Sequence, residues 1–563
     1  MKKIIKKAID VVVAIVFSKG FDISIISLGV LFRVKLYLEN HSVWLDEAVT
    51  TVSIGSRTFS EILTRFDIFP EFAKPPIGFE LIEKLSITLF GNNEYAFRLF
   101  PLLSGIGSLL LFYLIVKKLF CKEIQKVSLI FFAVCDPLIQ YCGDTKPYSS
   151  DVLMALILIY VFINVRKAGL GLKNILLLGL SGGLIIWISS ACIFILTALG
   201  LTATTMALID KKWKELISVL PVFVIWLFSF IFLYKISLSD MVHGESLKAT
   251  WVGAFGPTTI FSFATLSWLR EVFFEMFKYP GGMYFAKLPF HIGVLGSLIF
   301  FVGCWQLFKK DKESFFIFVG PVLITLFAAL IGKYPFRGRV ILFLVPSIIV
   351  VLSASVNFKI KKASRISSVI ALVIAYVLLY QPFMTAIHKL KRGRGGSEHN
   401  RQTLAFMQKY YLPGDMIFFN TSGQFSFWYY AKNLGYYSDL SKAYLGEFEG
   451  KRMEGVLTGQ FAHKTGEFKG VKYAAMKYDY NIFDKEGHFR RLVSAQSEGG
   501  VQVIFKHVPI KYEGKSDRVW VFLSRCETEL KDIVLGAFDH RGKVIREFKG
   551  DGAQIYLYDM SSR

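Results

Sequence analysis

Apolar residues fall in runs of about 20, the length a helix needs to cross a bilayer, with short charged loops between them. The runs lie at 21–38, 95–116, 126–141, 148–165, 172–188, 191–209, 215–235, 291–308, 315–332, 339–356 and 367–384. This predicts about eleven transmembrane helices. The stretch "PPIGFELIEKLSITLF", Pro75 to Phe90, breaks the pattern because it is short and carries Glu80, Glu83 and Lys84. One charge at mid-membrane costs at least about 2.5–3.5 kcal/mol, so this stretch is expected to be an interfacial or re-entrant helix on the outer surface. After residue 385 the pattern changes. A basic linker, "HKLKRGRGGSEHN", leads into alternating helical and strand patterns. "RQTLAFMQKYY" and "SGQFSFWYYAKNLG" read as helices and "GDMIFFN" as a strand. "RVWVFLS", "ETELKDIVLGAF", "KVIREF" and "AQIYLYDM" read as strand, helix, strand and strand.

Loop charge orients the spans. With 75–90 excluded, the loops on one side are "MKKIIKK", "KKLFCKEIQK", "RKAGLGLK", "DKKWKE", "KKDKE" and "KIKKASR", all basic. Positive loops stay cytoplasmic. The opposite side then holds the loops 39–94 and 236–290, the turns 142–147 and 332–338, and everything after 385. The expected architecture is a polytopic α-helical membrane protein with a C-terminal extracytoplasmic α/β domain. Its parts are a basic cytoplasmic interfacial segment at 1–20, a transmembrane domain at 21–385 and the α/β domain at 386–563.

Composition agrees. The 563 residues are 53% hydrophobic and 16% aromatic, with 54 phenylalanines, too apolar for a soluble enzyme of this size. The net charge of +23 is spread between apolar runs and not gathered in a stripe, which fits membrane topology and excludes a nucleic-acid partner. The six cysteines have no metal-ligand spacing, and Cys526 is alone in the C-terminal region, so no disulfide forms within it.

The outer-facing segments bring acids and bases to one membrane level. "WLDEA" holds Asp46 and Glu47, "AKPP" holds Lys74, "YCGDTKPYSSD" holds Asp144, Lys146, Tyr148 and Asp151, and "GKYPFRGR" holds Tyr334, Arg337 and Arg339. Arg binds a phosphate bidentately and Lys binds it as a point charge. A neighbouring carboxylate can serve as general base toward a hydroxyl. Together they suit transfer from a lipid phosphate. Each residue also has a plainer reading. Asp46, Glu47 and Asp151 suit helix starts. Lys74 suits snorkelling to headgroups. Arg337 and Arg339 suit interface anchoring, and Tyr148 and Tyr334 suit an aromatic belt.

As a set, "WLDEA", "KPP" at 74–76, "LFGNNEYAFRLFPLLSG" at 89–105, "YCGDTKPYSSDVLM" at 141–154 and "YPFRGRVILFLVP" at 334–346 resemble the GT-C type membrane glycosyltransferases. The likeness is to the glycosyltransferase 39 group, which includes protein mannosyltransferases and aminoarabinose transferases, and it covers most of 20–356. The resemblance implies a GT-C fold and inverting sugar transfer from a polyprenyl-phosphate donor at the outer face of a bacterial-type cytoplasmic membrane. The acceptor would be a hydroxyl of a glycan, lipid or protein. It implies that Asp46, with Glu47 beside it, is the base and that Lys74 lies near the lipid phosphate. Asp144 and Asp151 each match an acidic position found in part of the family. Lys146, Arg337 and Arg339 complete the expected phosphate site, and Tyr148 and Tyr334 the pocket. A divalent cation held by carboxylates is compatible with the residues, though no spacing demands one. A flippase of lipid-linked saccharides is the alternative. It fits less well because the chain has no internal repeat and its polar groups gather at one face.

Overall fold

The computed structural model describes residues 14–64, 74–238, 251, 253–257, 259, 261–283, 292–357, 364–394, 398–412 and 415–433, the short strands between 465 and 503, and 518–526, 528–539 and 542–561. Most of the basic segment expected at 1–20 lies outside them. The chain forms two compact units, Met1–Asn40 with Pro75–Gly393 and His41–Lys74 with Arg394–Arg563. The composition-based division differs, since it kept all of 39–94 with the membrane part and cut the chain at 386.

In the first unit every expected span coincides with helix. Among the described residues, eight helices are long and apolar enough to cross a membrane. These are Glu94–Leu119, Tyr148–Ala168, Cys192–Ile209, Trp213–Ser237, Ile292–Lys310, Lys312–Leu330, Gly338–Asn357 and Ile366–Arg392. A pair bent by 52°, Lys122–Val134 with Asp136–Gly143, makes a ninth. The remaining two expected spans are Leu172–Ile188, of 17 residues, and Lys19–Glu39, which carries charge. The two buried charges of the latter, Asp22 and Arg33, are compensated. Lys126 Nζ lies 2.5 Å from Asp22 Oδ1 and also donates to the Ser18 carbonyl. Gln125 Nε2 donates to Asp22 Oδ2. Arg33, fully buried, donates to the carbonyls of Gly29, Ala133 and Phe132.

Burial grades the spans. The Gly338–Asn357 window is 89% buried and central, while that of Ile366–Arg392 is 17% buried and that of Trp213–Ser237 is 22%, so these two are peripheral. Close approach needs small residues. A Cβ on Gly303 would meet the Val351 carbonyl oxygen at 1.8 Å. At one end of the bundle Arg166 ties three helices together, through Glu215 at 2.8 Å and Glu313 at 2.9 Å. The residues of "YCGDTKPY" and "GKYPFRGR" lie at the other end of these helices. Ile77–Phe90 is the expected short helix of 14 residues, below a bilayer span. It buries Glu80 and Glu83 on one face and exposes Leu85, Leu89 and Phe90 on the other.

The second unit contains a six-stranded sheet. Its strands are β1 (Met416–Phe419), β2 (Thr465–Phe468), β3 (Val471–Ala475), then β8 (Arg518–Ser524), β9 (Lys543–Gly550) and β10 (Ala553–Asp559), in the order β2-β3-β1-β8-β10-β9. β1 runs parallel to β3 and β8, and β10 is antiparallel to β8 and β9. Two separate hairpins pair β4 (Asn481–Phe483) with β5 (Phe489–Arg491) and β6 (Ser494–Ser497) with β7 (Gly500–Val503). Alternation sorts β8 as a strand period requires. Val519, Val521 and Leu523 pack on Val534 and Phe538 of the helix Thr528–Asp539. All seven elements expected from the C-terminal sequence patterns are present.

Candidate functional site

In the membrane unit the site is built where "YCGDTKPY" interrupts helix. The chain bends after Val134, makes the short helix Asp136–Gln140 and a tight turn at Tyr141–Gly143, and runs extended at Asp144. Pro147 lacks an amide hydrogen and stands at the start of Tyr148–Ala168, where its carbonyl accepts from Asp151 N at 2.7 Å. The turn buries Asp144 and brings three tyrosines together. The hydroxyls of Tyr141 and Tyr279 are hydrogen-bonded, and the Tyr141 ring meets that of Tyr148 edge-on at 5.0 Å.

Arg339 completes the cluster. Its Nε donates to the Tyr148 hydroxyl at 3.0 Å. Its guanidinium lies 5.8 Å from the Tyr148 ring centre and 5.5 Å from that of Trp251. Contact with two aromatic faces and a hydroxyl restrains where this guanidinium can lie. Tyr279 feels both Arg339 and Asp144, and burial pushes its hydroxyl up to about 12, so it is a neutral donor at physiological pH. Arg337 lies close to Gly253, where a Cβ would meet its Nη1 at 3.2 Å. Tyr334 donates to the Val340 carbonyl at 2.7 Å and meets Phe194 edge-on at 4.7 Å. Burial raises its hydroxyl well above the ordinary tyrosine value, so it stays protonated. Lys146 follows Asp144 in the turn, with its amide donating to the Asp144 carbonyl at 2.7 Å.

The two acids of this stretch separate. Asp144 lies in the field of Tyr141, Tyr279 and Cys142. Asp151 is buried in the first turn of its helix, beside Ser189 and Cys192 and near Tyr334. Tyr141, Trp251 and Tyr279 were not singled out from sequence. Tyr141 stands next to the chosen motif, but Trp251 and Tyr279 lie in the 236–290 loop with no local pattern to mark them.

In the second unit, Asp46 and Glu47 occupy the first turn of the helix Leu45–Ser56, where carboxylates suit the helix dipole. Glu47 is fully buried, with Oε2 3.6 Å from His41 Nε2. This imidazole–carboxylate pair contributes two donor atoms of the kinds that hold divalent cations. Lys74 directly precedes Pro75 and Pro76, which lead into Ile77–Phe90.

Comparison with known proteins supports the resemblance over part of the chain. Residues 73–236 match the family model described as dolichyl-phosphate-mannose–protein mannosyltransferase. A putative mannosyltransferase of Bacillus subtilis (strain 168), YkcB, is 26% identical over 162 residues. That alignment covers 27% of this chain and 22% of the relative. Among solved structures, ArnT from Cupriavidus metallidurans bound to undecaprenyl phosphate aligns over 97% of this chain and 99% of its own, at 9% identity and a TM-score of 0.46. The oligosaccharyltransferase AglB from Archaeoglobus fulgidus, in complex with an inhibitory peptide and a dolichol-phosphate, aligns over 74% of this chain and 64% of its own, at 14% identity and a TM-score of 0.41. By its apolar helices and its C-terminal sheet the chain is a multi-pass helical membrane protein with a C-terminal α/β domain. Its segment 73–236 is similar to the mannosyltransferase family.

Proposed function

We propose that the protein is a GT-C type glycosyltransferase that moves a sugar from a polyprenyl-phosphate donor to an acceptor hydroxyl, inverting the anomeric carbon. The observation that carries this reading is Arg339, which donates to the Tyr148 hydroxyl and lies over the Tyr148 and Trp251 rings at one end of the spans. A pre-oriented guanidinium at the level of lipid headgroups suits a lipid-linked phosphate. The matched segment 73–236 contains Lys74, Asp144, Lys146, Tyr148 and Asp151, and its family description names a dolichyl-phosphate-linked sugar.

In the transfer step the acceptor oxygen bonds to the sugar's anomeric carbon as the bond from that carbon to the phosphate oxygen breaks. The acceptor proton passes to the Asp46 carboxylate. The departing polyprenyl phosphate gains negative charge, which Arg339, Arg337, Lys146 and Lys74 stabilise more in the transition state than in the ground state. Asp144 orients the sugar, and Tyr148 and Tyr334 shape the pocket. Asp151 stays in the wall and supports the helix start. Glu47 and His41 are the groups of the second unit that could ligate a divalent cation, which would add charge stabilisation to the leaving phosphate.

Basic last turns, Lys117 and Lys118, Arg166 and Lys167, and Lys309 and Lys310, mark the opposite end of the bundle. The positive-inside rule then makes that end cytoplasmic and puts the site and the C-terminal domain outside. The test uses a membrane preparation supplied with radiolabelled polyprenyl-phosphate sugars. Wild type is expected to transfer label. Asp46→Asn is expected to lose about 10²–10⁴-fold in rate, the worth of a general base, while still binding donor. Near-full activity in that variant removes Asp46 from the mechanism.

A further inference from the structure

The helix that begins with Leu45 has an unusual start. Its N-cap residue is Trp44, which has no side chain able to accept from the first-turn amides. The acceptor comes from the C-terminal part of the same unit, because Glu398 Oε2 accepts from Leu45 N at 3.2 Å. Glu398 is 7% exposed, and the same oxygen also accepts from Asn400 Nδ2 at 3.1 Å and Ser524 Oγ at 3.3 Å.

The strap before the helix is fastened residue by residue to the same wall. Arg394 Nη1 meets His41 Nε2 at 2.7 Å, and Arg401 Nη2 donates to the His41 carbonyl at 3.4 Å. Ser42 Oγ donates to Gln402 Oε1 at 2.9 Å and accepts from Arg401 N. Val43 N donates to the Tyr430 hydroxyl at 2.8 Å, and the Val43 carbonyl accepts from Asn400 Nδ2 at 3.0 Å. Asn400 is itself held by Ser524 and Ser426, and Arg525 lies over the Trp44 ring. Five consecutive residues, His41 to Leu45, are therefore each bound by residues between 394 and 525. A hydrogen-bond set this dense, ending one residue before Asp46, fixes both the position and the pitch of the first turn.

We propose that Glu398 is a positioning residue. It caps the Leu45–Ser56 helix from outside its own sequence while Asn400 and Tyr430 hold Val43 just before it, and together they set the carboxylate of Asp46 for the acceptor. The C-terminal domain is thereby a part of the transferase and not an appended module. The proposal rests on the glycosyltransferase reading for its effect on rate, but its geometric claim stands apart from it.

The test compares full-length Glu398→Ala, Glu398→Gln and Tyr430→Phe by backbone hydrogen exchange and by transfer kinetics. In Glu398→Ala, peptides covering 45–51 are expected to exchange faster while those covering 518–524 do not change. The kcat is expected to fall on the order of tenfold, the size of one lost helix cap, with the donor KM unchanged. Glu398→Gln keeps an acceptor oxygen and is expected to restore both exchange and rate. Tyr430→Phe is expected to loosen 41–45 in the same way. Unchanged exchange at 45–51 in Glu398→Ala together with unchanged exchange at 41–45 in Tyr430→Phe overturns the proposal, as does a Glu398→Gln variant that behaves like Glu398→Ala. If exchange responds as expected while wild type transfers nothing, the anchoring holds and the glycosyltransferase reading fails.

Discussion

Arg339 shows how much of a residue's role depends on what surrounds it. The sequence supplied a basic residue after a glycine, equally suited to anchoring a span. The structure adds an acceptor at 3.0 Å and two aromatic rings centred 5.8 Å and 5.5 Å from the guanidinium. Lysine keeps the charge but neither the plane nor the fork. Arg339→Lys should therefore lose a charge-assisted hydrogen bond, worth about 1.5–3 kcal/mol, and slow transfer roughly 10–100-fold at saturating donor. A rate within twofold of wild type would mean that charge alone suffices. Glu398 gives a pH signature. Burial raises its carboxyl above the usual glutamate range, against the lowering effect of Asn400, Arg525 and Ser524. The folded state then holds the proton more tightly than the unfolded chain, so this contribution to stability is present in acid and is lost as pH rises through the raised value. Thermal unfolding followed from pH 4 upward should show that decline in wild type and not in Glu398→Gln. Asp46, Lys74, Asp144 and Arg339 were picked out from the chain because transfer from a lipid phosphate would use such groups, and their roles stand as proposals. Tyr279, Trp251 and Glu398 were not, because each earns its place by a contact far away in sequence.

At the scale of elements, the spans were the most legible feature, since lipid forces a long apolar run wherever a helix crosses. Even Lys19–Glu39, which carries Asp22 and Arg33, was found this way. Its charges are tolerated because Lys126, Gln125 and backbone carbonyls meet them. Removing one partner of the buried Asp22–Lys126 pair should cost about 3–5 kcal/mol, while replacing both with apolar residues of similar volume should cost far less. Thermal stability of Lys126→Met against the Asp22→Leu/Lys126→Met double variant in detergent measures this. Equal losses would show that the pair is not coupled. Gly303 makes a second element-scale case. A methyl there collides with the Val351 backbone, so Gly303→Ala should destabilise the contact between the 292–310 and 338–357 spans by about 1–3 kcal/mol. A thermal midpoint equal to wild type would show that the helices part without cost. The first outer loop groups with the C-terminal residues for a physical reason that the sequence does not display. Its anchors, Glu398, Asn400 and Tyr430, lie more than 350 residues away from it, and no periodicity reports a partner at that range.

For the whole molecule, the chain leaves the membrane unit at Asn40, returns at Pro75 and leaves again after Gly393. The helix bearing Asp46 is thus folded by the C-terminal domain, while the Arg339 cluster is folded by the spans. In the proposed mechanism the general base Asp46 belongs to the second unit and Arg339 to the first, and transfer is expected to need both. The decisive measurement reconstitutes purified protein in lipid vesicles with a polyprenyl-phosphate sugar labelled in the sugar. It follows label released from lipid or passed to acceptor, beside label that crosses the bilayer still attached to its lipid. Wild type is expected to separate sugar from lipid phosphate at a rate that collapses in both Asp46→Asn and Arg339→Lys. Lipid-attached label that crosses the bilayer without cleavage, at a rate indifferent to Asp46, would contradict the account and describe a flippase.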